Sequence, residues 1–301
     1  MNIEHFLTNS MPSWMAVDEK SSDIIMSTRI RLARNLADIK FPISFSEQEA
    51  NIVEQKMMQA LLSLNDAELH FSYFPMKEIP LLQRQVLVEK HLISPSLARK
   101  EKGAAVFLTS DESMSVMVNE EDHIRIQCLA PGMQLEKAFE LASRIDRYIS
   151  KRVIYAYHEK YGHLTSCPTN VGTGLRASVM LHLPALTMTK KMNIIIQMMT
   201  RLGMVVRGIY GEGSENLGNV YQLSNQITLG KADTDILQEL RDVVEQLIEK
   251  ERLARKQLLA RTPLMIEDRL SRALGTLKYA RILTSEEAAT CLSNVRLGVD
   301  L

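Results

Sequence analysis

The sequence predicts an α+β fold: a large antiparallel β-sheet flanked by helices and followed by a small helical region. Three observations carry this. Short apolar runs at AAVFLT (104–109), SVMVN (115–119) and HIRIQCL (123–129) are separated only by the turn-like SDES and NEED, the pattern of an antiparallel meander. Amphipathic helical stretches lie on both sides of that meander. Strands and helices do not alternate strictly, as a doubly wound parallel sheet would require.

In chain order, Ser46 and Glu49 form a capping box, followed by Ile52, Val53, Met57, Leu61 and Leu62 at helical spacing. After the meander, residues 134–151 predict a helix with Leu135, Phe139, Leu141, Ala142 and Ile145 inward. VIYAYHEKYGHLTS predicts a strand pair, and CPTNVGTG a loop of small residues. LRASVMLHLPAL reads as helical until Pro184, and 189–202 as a second helix rich in Met and Ile. VVRGIYGEG and NVYQLSNQITLG predict strands around a glycine-rich loop. A long helix from Asp233 to about Leu259 carries the stripe Ile236, Leu240, Val243, Leu247 and Ile248. The remaining residues read as helices, the last opened by Thr284 and Glu287.

With 36 basic and 36 acidic residues the net charge is zero, which argues against bulk binding of nucleic acid or anionic lipid. Three widely spaced cysteines form neither a disulfide framework nor a CxxC zinc site. The N-terminal MNIEHFLTNSMPSWM lacks the apolar core of a signal peptide, and no apolar run is long enough to span a bilayer. A reducing cytoplasm is the expected location.

Several chemistries find no motif. GxxxxGK[ST] is absent, since Gly230–Lys231 is followed by Ala232, and so are H-R-D and D-F-G. GTGLRA (172–177) and GEGSEN (211–216) each lack the third glycine of a dinucleotide fingerprint. In HEKYGH, His158 and His163 are five apart, not the four that places two ligands on one helix face, so the stretch reads as a turn with two exposed histidines and no metal site is assigned.

Two patterns remain. VNEEDHIRIQC places three carboxylates at the mouth of a strand on which His123, Arg125 and Gln127 would share one face. Five arginines stand on strands or beside glycines: Arg29, Arg31, Arg125, Arg176 and Arg207. Any one of them alone reads as a surface or salt-bridge residue. Together they suit planar, multidentate contact with a polyphosphate, aided by backbone N–H groups near Gly172 and Gly174.

STRIR, NEEDHIRI, CPTNVGTGLR and RGIYGE, in this order, resemble the signature blocks of the phosphagen (guanidino) kinases. EKHLISP (89–95) and GEGSENLGNVYQLSNQITLG are similar to the bacterial branch that phosphorylates arginine in proteins. The resemblance covers about residues 20 to 300. It implies a guanidino-kinase catalytic fold, with 1–20 an N-terminal segment, 21–255 the catalytic domain and 256–301 a helical C-terminal region.

By this resemblance Ser27, Thr28, Arg29, Ile30, Arg31, His91, Arg125, Arg176, Ala177, Ser178, Val179, Met180, Arg207, Gly208, Ile209, Tyr210, Gly211 and Glu212 match nucleotide-binding positions. Glu121 matches the glutamate that holds and deprotonates the guanidinium, Glu212 a second carboxylate near it, and Cys167 the reactive cysteine beside it. Glu120 and Asp122 are left as solvated turn charge or an indirect part of a Mg²⁺ shell. The implied cofactors are ATP and Mg²⁺.

The implied activity is ATP-dependent phosphorylation of protein arginines in a stress response that marks proteins for degradation. Implied partners are proteins with exposed arginines, a heat-shock repressor among them, a zinc-binding activator protein and an unfoldase–protease. A homodimer is left open. Three departures stand out: the helical domain that precedes the catalytic region in small-molecule phosphagen kinases is absent, Tyr210 replaces an arginine, and the chain stops at RLGVDL where the bacterial proteins continue. A small-molecule guanidino kinase is the alternative, and a silent adaptor keeping the fold is a third reading.

Overall fold

A computed structural model of the chain describes residues 2–8, 11–15, 23–64, 69–208 and 217–299. Its eight-stranded sheet runs, in spatial order, Phe71–Pro75 (β2), Ala105–Thr109 (β3), Met114–Val118 (β4), Ile124–Pro131 (β5), Ile25–Arg34 (β1), Leu175–His182 (β8), Val220–Asn225 (β10) and Met204–Arg207 (β9), and Tyr157–His158 (β6) with Gly162–His163 (β7) forms a separate two-stranded sheet. The chain clusters into two compact units, one comprising Met1–Val17, Ser27–Ala177 and Ile227–Leu237, the other Asp18–Met26, Ser178–Gln226 and Gln238–Leu301.

The first unit takes in α1 (Glu4–Thr8), β1 (Ile25–Arg34), α2 (Glu47–Leu62), β2 (Phe71–Pro75), α3 (Leu81–Glu89) and α4 (Pro95–Ala98). It continues with β3 (Ala105–Thr109), β4 (Met114–Val118), β5 (Ile124–Pro131), α5 (Leu135–Ser150), β6 (Tyr157–His158), β7 (Gly162–His163) and the start of β8 (Leu175–His182). The meander is present: β3, β4 and β5 pair antiparallel in sequence, and β5 pairs with β1. The capping box at Ser46 also forms, with Glu49 N–H donating to Ser46 Oγ at 3.2 Å and Ser46 N–H to Glu49 Oε2 at 2.7 Å. Ile52 and Leu62, expected inward on α2, are exposed, whereas Ala50, Val53, Met57, Ala60 and Leu61 are buried. On α5 Phe139 and Leu141 are half-buried, and Ala138 and Ile149 complete the buried stripe. In both helices small alanines take part in the buried stripe, a choice that hydrophobicity alone does not reveal.

Phe6, Phe74, Leu87, Leu97, Val106 and Met117 belong to one core cluster. Arg84 of α3 is 4% exposed, and its guanidinium donates to the carbonyls of Met76, Ile79, Ala98 and Lys100, so its burial is matched by hydrogen bonds.

The second unit carries most of β8, then α6 (Pro184–Met188), α7 (Met192–Arg201), β9 (Met204–Arg207), β10 (Val220–Asn225), most of α8 (Asp233–Arg261), α9 (Pro263–Tyr279) and α10 (Ser285–Val299). The helical expectation for LRASVMLHLPAL is overturned: Leu175–His182 is a strand, paired antiparallel with β10 through Leu181↔Tyr221 and Val179↔Leu223. A short, nearly continuous apolar run has no decisive period, and here sheet pairing overrides the helix-favouring Leu, Ala and Met residues. Glu251 of α8 is fully buried and accepts from the N–H groups of Ala185 and Leu186, both at 2.9 Å, while Arg255 Nε balances its charge at 3.0 Å. At the entry to α10, Glu287 N–H donates to Thr284 Oγ1 at 3.1 Å.

Candidate active site

The β1–β5 register sets the arginines. Arg31 lies opposite Gln127 and Ala33 opposite Arg125, so Arg29, Arg31 and Arg125 share one face of the sheet. Arg176 opens β8. Burial first, then the charges of Arg125 and Arg176, push the Arg29 guanidinium down to about 10. Arg31 is pushed down by burial and by Arg29, Arg125 and Arg176, against the pull of Glu120, and its Nε is buried without a hydrogen-bond partner. Four cations thus share one field, an arrangement that a polyanion relieves and isolated surface arginines do not need. His91, at φ 58°, is held through its carbonyl by Gln127 Nε2 at 2.8 Å, and the Trp14 ring meets its edge at 5.4 Å. Burial, then Arg29, pushes its imidazole down to about 4, so it stands neutral among cations.

Glu120 and Asp122 are not the solvated turn charge that is one of the two readings open to them. Glu121 is exposed, but Glu120 and Asp122 are buried at 3% and 0% exposure. Glu120 accepts from Ser94 Oγ at 2.7 Å, from the Glu121 N–H at 2.7 Å and from Arg125 Nη1 at 2.7 Å. Asp122 Oδ1 accepts from Asn35 Nδ2 and from the Ser166 N–H, each at 2.6 Å. The chain here curls inward because protein donors replace the water that carboxylates otherwise keep. Lys100 Nζ donates to the Asn119 carbonyl at 2.8 Å and also to that of Glu120.

His123 does not share the Arg125 face. It precedes β5, packs against Phe41 and Phe45, accepts from the Leu36 N–H at Nδ1 (3.1 Å) and so donates from Nε2 to the Lys40 carbonyl (2.9 Å).

What the turn leaves presented is Glu121, whose Oε2 accepts from Arg125 Nη2 at 2.8 Å. Their side chains are 42% and 12% exposed, so the pair opens to solvent on the carboxylate side. A carboxylate already seated on a guanidinium is a geometry suited to receiving one.

Cys167 is half-buried, with Sγ 3.0 Å from Thr169 Oγ1 and its carbonyl accepting from Thr165 Oγ1 at 2.7 Å. Thr228 Oγ1 pins the loop at the carbonyls of Thr169 (3.0 Å) and Val171 (2.7 Å). Gly172, at φ 114°, is required because a Cβ would lie 2.6 Å from the Thr228 carbonyl. Cys128 and Cys291 are buried, and burial pushes the Cys128 thiol up to about 12.

In HEKYGH His158 is exposed, but His163 is half-buried between Tyr155 and Tyr157, and burial pushes it down to about 4. Among the described residues no group of His, Cys, Asp and Glu side chains is arranged to hold a metal ion.

Of the remaining candidates, Ser27, Thr28, Ile30 and Ala177 are buried, and the Thr28 hydroxyl is engaged with the Gly132 carbonyl at 2.7 Å. In the other unit, Ser178 and Val179 are buried on β8 and Met180 is half-buried. Arg207 ends β9, opposite Gln222, and buried Gly208 follows it. Ile209, Tyr210, Gly211 and Glu212 lie outside the described residues. Sequence reasoning missed Asn35, Ser94 and Lys100, polar residues far away in the chain whose contacts no local pattern announces. It also missed Arg34, bound to Asp146 by Nη2 at 2.8 Å and by Nε at 3.1 Å.

Residues 52–254 match the family model for the ATP:guanido phosphotransferase C-terminal catalytic domain, and 263–301 that for the protein-arginine kinase McsB C-terminal domain. The chain is 52% identical to the protein-arginine kinase of Bacillus pumilus, over 100% of this chain and 83% of that one. It is 50% identical to the protein-arginine kinase of Geobacillus stearothermophilus at the same coverages. Among solved structures, lombricine kinase superposes with a TM-score of 0.69 at 27% identity, covering 82% of this chain and 70% of that chain. The taurocyamine kinase of Schistosoma mansoni, with bound transition-state-analogue components, does so at 0.72 and 27%, covering 84% and 35%.

Proposed function

This chain belongs to the ATP:guanido phosphotransferases and stands among the protein-arginine kinases, and from that premise we propose how its residues move a phosphoryl group onto protein arginines. The observation that carries the reading is Glu121, presented from an otherwise buried acid turn and already paired with a guanidinium.

An arginine side chain is planar, cationic and a poor nucleophile, with a pKa above about 12. Glu121 holds the incoming guanidinium in place of Arg125, orients one nitrogen, and accepts its proton as the N–P bond forms. Released from Glu121, Arg125 joins Arg29, Arg31 and Arg176 on the polyphosphate, with His91 as a neutral donor beside them. The shared field of these cations fits a nucleotide triphosphate. ATP, when bound, supplies the transferred phosphoryl group, with Mg²⁺ to spread the polyphosphate charge. Arg207, Gly208 and the stretch Ile209 to Glu212, with Ser27, Thr28, Ile30 and Ala177 to Met180, complete the proposed nucleotide contacts, and Glu212 serves as a second carboxylate. Cys167 modulates the guanidinium rather than attacking it.

The biological setting follows the family resemblance: tagging of proteins for an unfoldase–protease under stress, with a heat-shock repressor as substrate, a zinc-binding activator protein as partner and the cytoplasm as location. Among the described residues no helix is long and apolar enough to cross a membrane. The division into 1–20, 21–255 and 256–301, and a homodimer, belong to the same proposal.

The test is transfer of labelled phosphate from ATP to an unfolded protein and to free arginine in parallel, followed by acid treatment. Acid-labile label on the protein alone supports the reading. Label on free arginine favours a small-molecule guanidino kinase, and no label on either, with ATP bound, means that transfer needs a further segment or a partner, or returns the silent adaptor.

A further inference from the structure

The acid turn and the cysteine loop are far apart in sequence yet share one buried carboxylate. Asp122 receives Asn35 Nδ2 from one side and the Ser166 N–H from the other, both at 2.6 Å. Asn35, itself 1% exposed, uses its whole amide on the same two segments: Oδ1 accepts from the His123 N–H at 2.8 Å, and Nδ2 also donates to the Leu164 carbonyl at 3.2 Å. Residues 122–123 and 164–166 are thereby joined, and the next residue outward on each segment is Glu121 or Cys167. Asp122 Oδ2 is buried without a hydrogen-bond partner. A charge buried with one oxygen unmatched is a poor device for stability alone, because a neutral side chain of the same shape would cost less to desolvate.

We propose that Asn35 and Asp122 form a positioning latch that fixes the Glu121 carboxylate and the Cys167 thiol at one spacing, so that an arriving guanidinium meets both already in place. The inference rests on the roles given above to Glu121 and Cys167. It gives Asp122 a structural partner set in place of a share in a Mg²⁺ shell.

The experiment compares the wild-type chain with Asn35→Ala, Asp122→Ala and the conservative Asp122→Asn. In Asp122→Asn the amide oxygen keeps the place of Oδ1 and still accepts from Asn35 Nδ2 and the Ser166 N–H, whereas either alanine removes the bond between 35 and 122. Three quantities are read: kcat and KM for labelled transfer to an unfolded protein, ATP affinity, and the rate of Cys167 alkylation by iodoacetamide, located by peptide mass.

Asn35→Ala is expected to lower kcat by about tenfold to a hundredfold with KM for ATP within about twofold. Its Cys167 alkylation rate should differ from wild type by about threefold or more. Asp122→Ala should show both losses, and Asp122→Asn should stay near wild type in both, because its amide oxygen keeps the two bonds. Wild-type kcat and alkylation in a folded Asn35→Ala overturn the latch. So does an Asp122→Asn that folds but is as slow as Asp122→Ala, which would mean that the charge at 122 itself is needed. Should Asn35→Ala not fold, the two variants at 122 decide: a working Asp122→Asn beside a slow or unfolded Asp122→Ala supports the pair, and equal behaviour of the two overturns it. Absence of label on any acceptor with wild type sinks the assigned activity, while the alkylation comparison still judges the latch.

Discussion

Glu121 and Arg125, four residues apart across a bend, meet at 2.8 Å, and the same guanidinium reaches Glu120 at 2.7 Å through its other amino group. Arg125 therefore links the buried carboxylate to the exposed one. A guanidinium arriving from outside competes for Glu121 alone, while Glu120 keeps Arg125 on the sheet face.

Glu121→Gln should lower kcat by about a hundredfold or more while leaving ATP affinity unchanged, since it removes the proton acceptor but not the cations. Single-turnover transfer together with calorimetric ATP titration measures both. Transfer at the wild-type rate would remove Glu121 from the role of base.

Arg31→Met removes one of four mutually repelling cations. Two effects of opposite sign are expected: thermal stability rises by up to about 1 kcal/mol, and ATP affinity drops by about tenfold or more. A variant that loses stability and keeps its affinity would show Arg31 to be a structural arginine.

Trp14 is the single tryptophan of the chain, 5% exposed and in edge contact with His91. Its emission should change as ATP is titrated in, and the change should vanish in His91→Ala. A spectrum indifferent to saturating ATP would place the nucleotide away from His91.

Acidification should destabilise the fold in a defined window. Burial pushes His91, His123 and His163 down to about 4 and His182 to about 3, below the value of about 6.5 expected of unfolded histidine. From pH 6.5 downward the unfolded chain then binds more protons than the folded one. Stability is therefore complete above pH 6.5 and falls toward pH 4, each such histidine contributing up to about 1.4 kcal/mol per pH unit. Denaturant midpoints across that range measure the slope, and a flat profile would contradict the buried, neutral assignment.

Gly103, at φ 62°, lies where a Cβ would come 2.6 Å from the Ala50 Cβ, and its carbonyl accepts from Asn119 Nδ2 at 2.5 Å. Gly103→Ala should cost about 1–3 kcal/mol by denaturant titration. Its kcat should fall as well, because Asn119 leads into the acid turn.

Local signals were the legible ones. The meander, the Ser46 capping box and the alternation of Arg29 with Arg31 each depend on residues within a few positions of one another. The β8 strand was misread because the deciding partners, on β10, lie about 40 residues downstream. The burial of Glu120 and Asp122 was invisible for the same reason: their donors, Ser94 and Asn35, stand 26 and 87 positions away, and a run of acids reads as solvated unless such partners are known. Asp122 and Glu121 look equivalent in the string, and only the tertiary fold separates a tethered carboxylate from a presented one.

That separation bears on how such a site can change over time or under design. The turn hangs from Asn35, Ser94, Lys100 and Ser166, none of which touches the Glu121 carboxylate through its side chain. The Glu121 side chain, paired with Arg125, is thus no part of what suspends the turn. A substitution there should silence the chemistry while sparing the scaffold, which makes position 121 the place to build a substrate-trapping form of the protein.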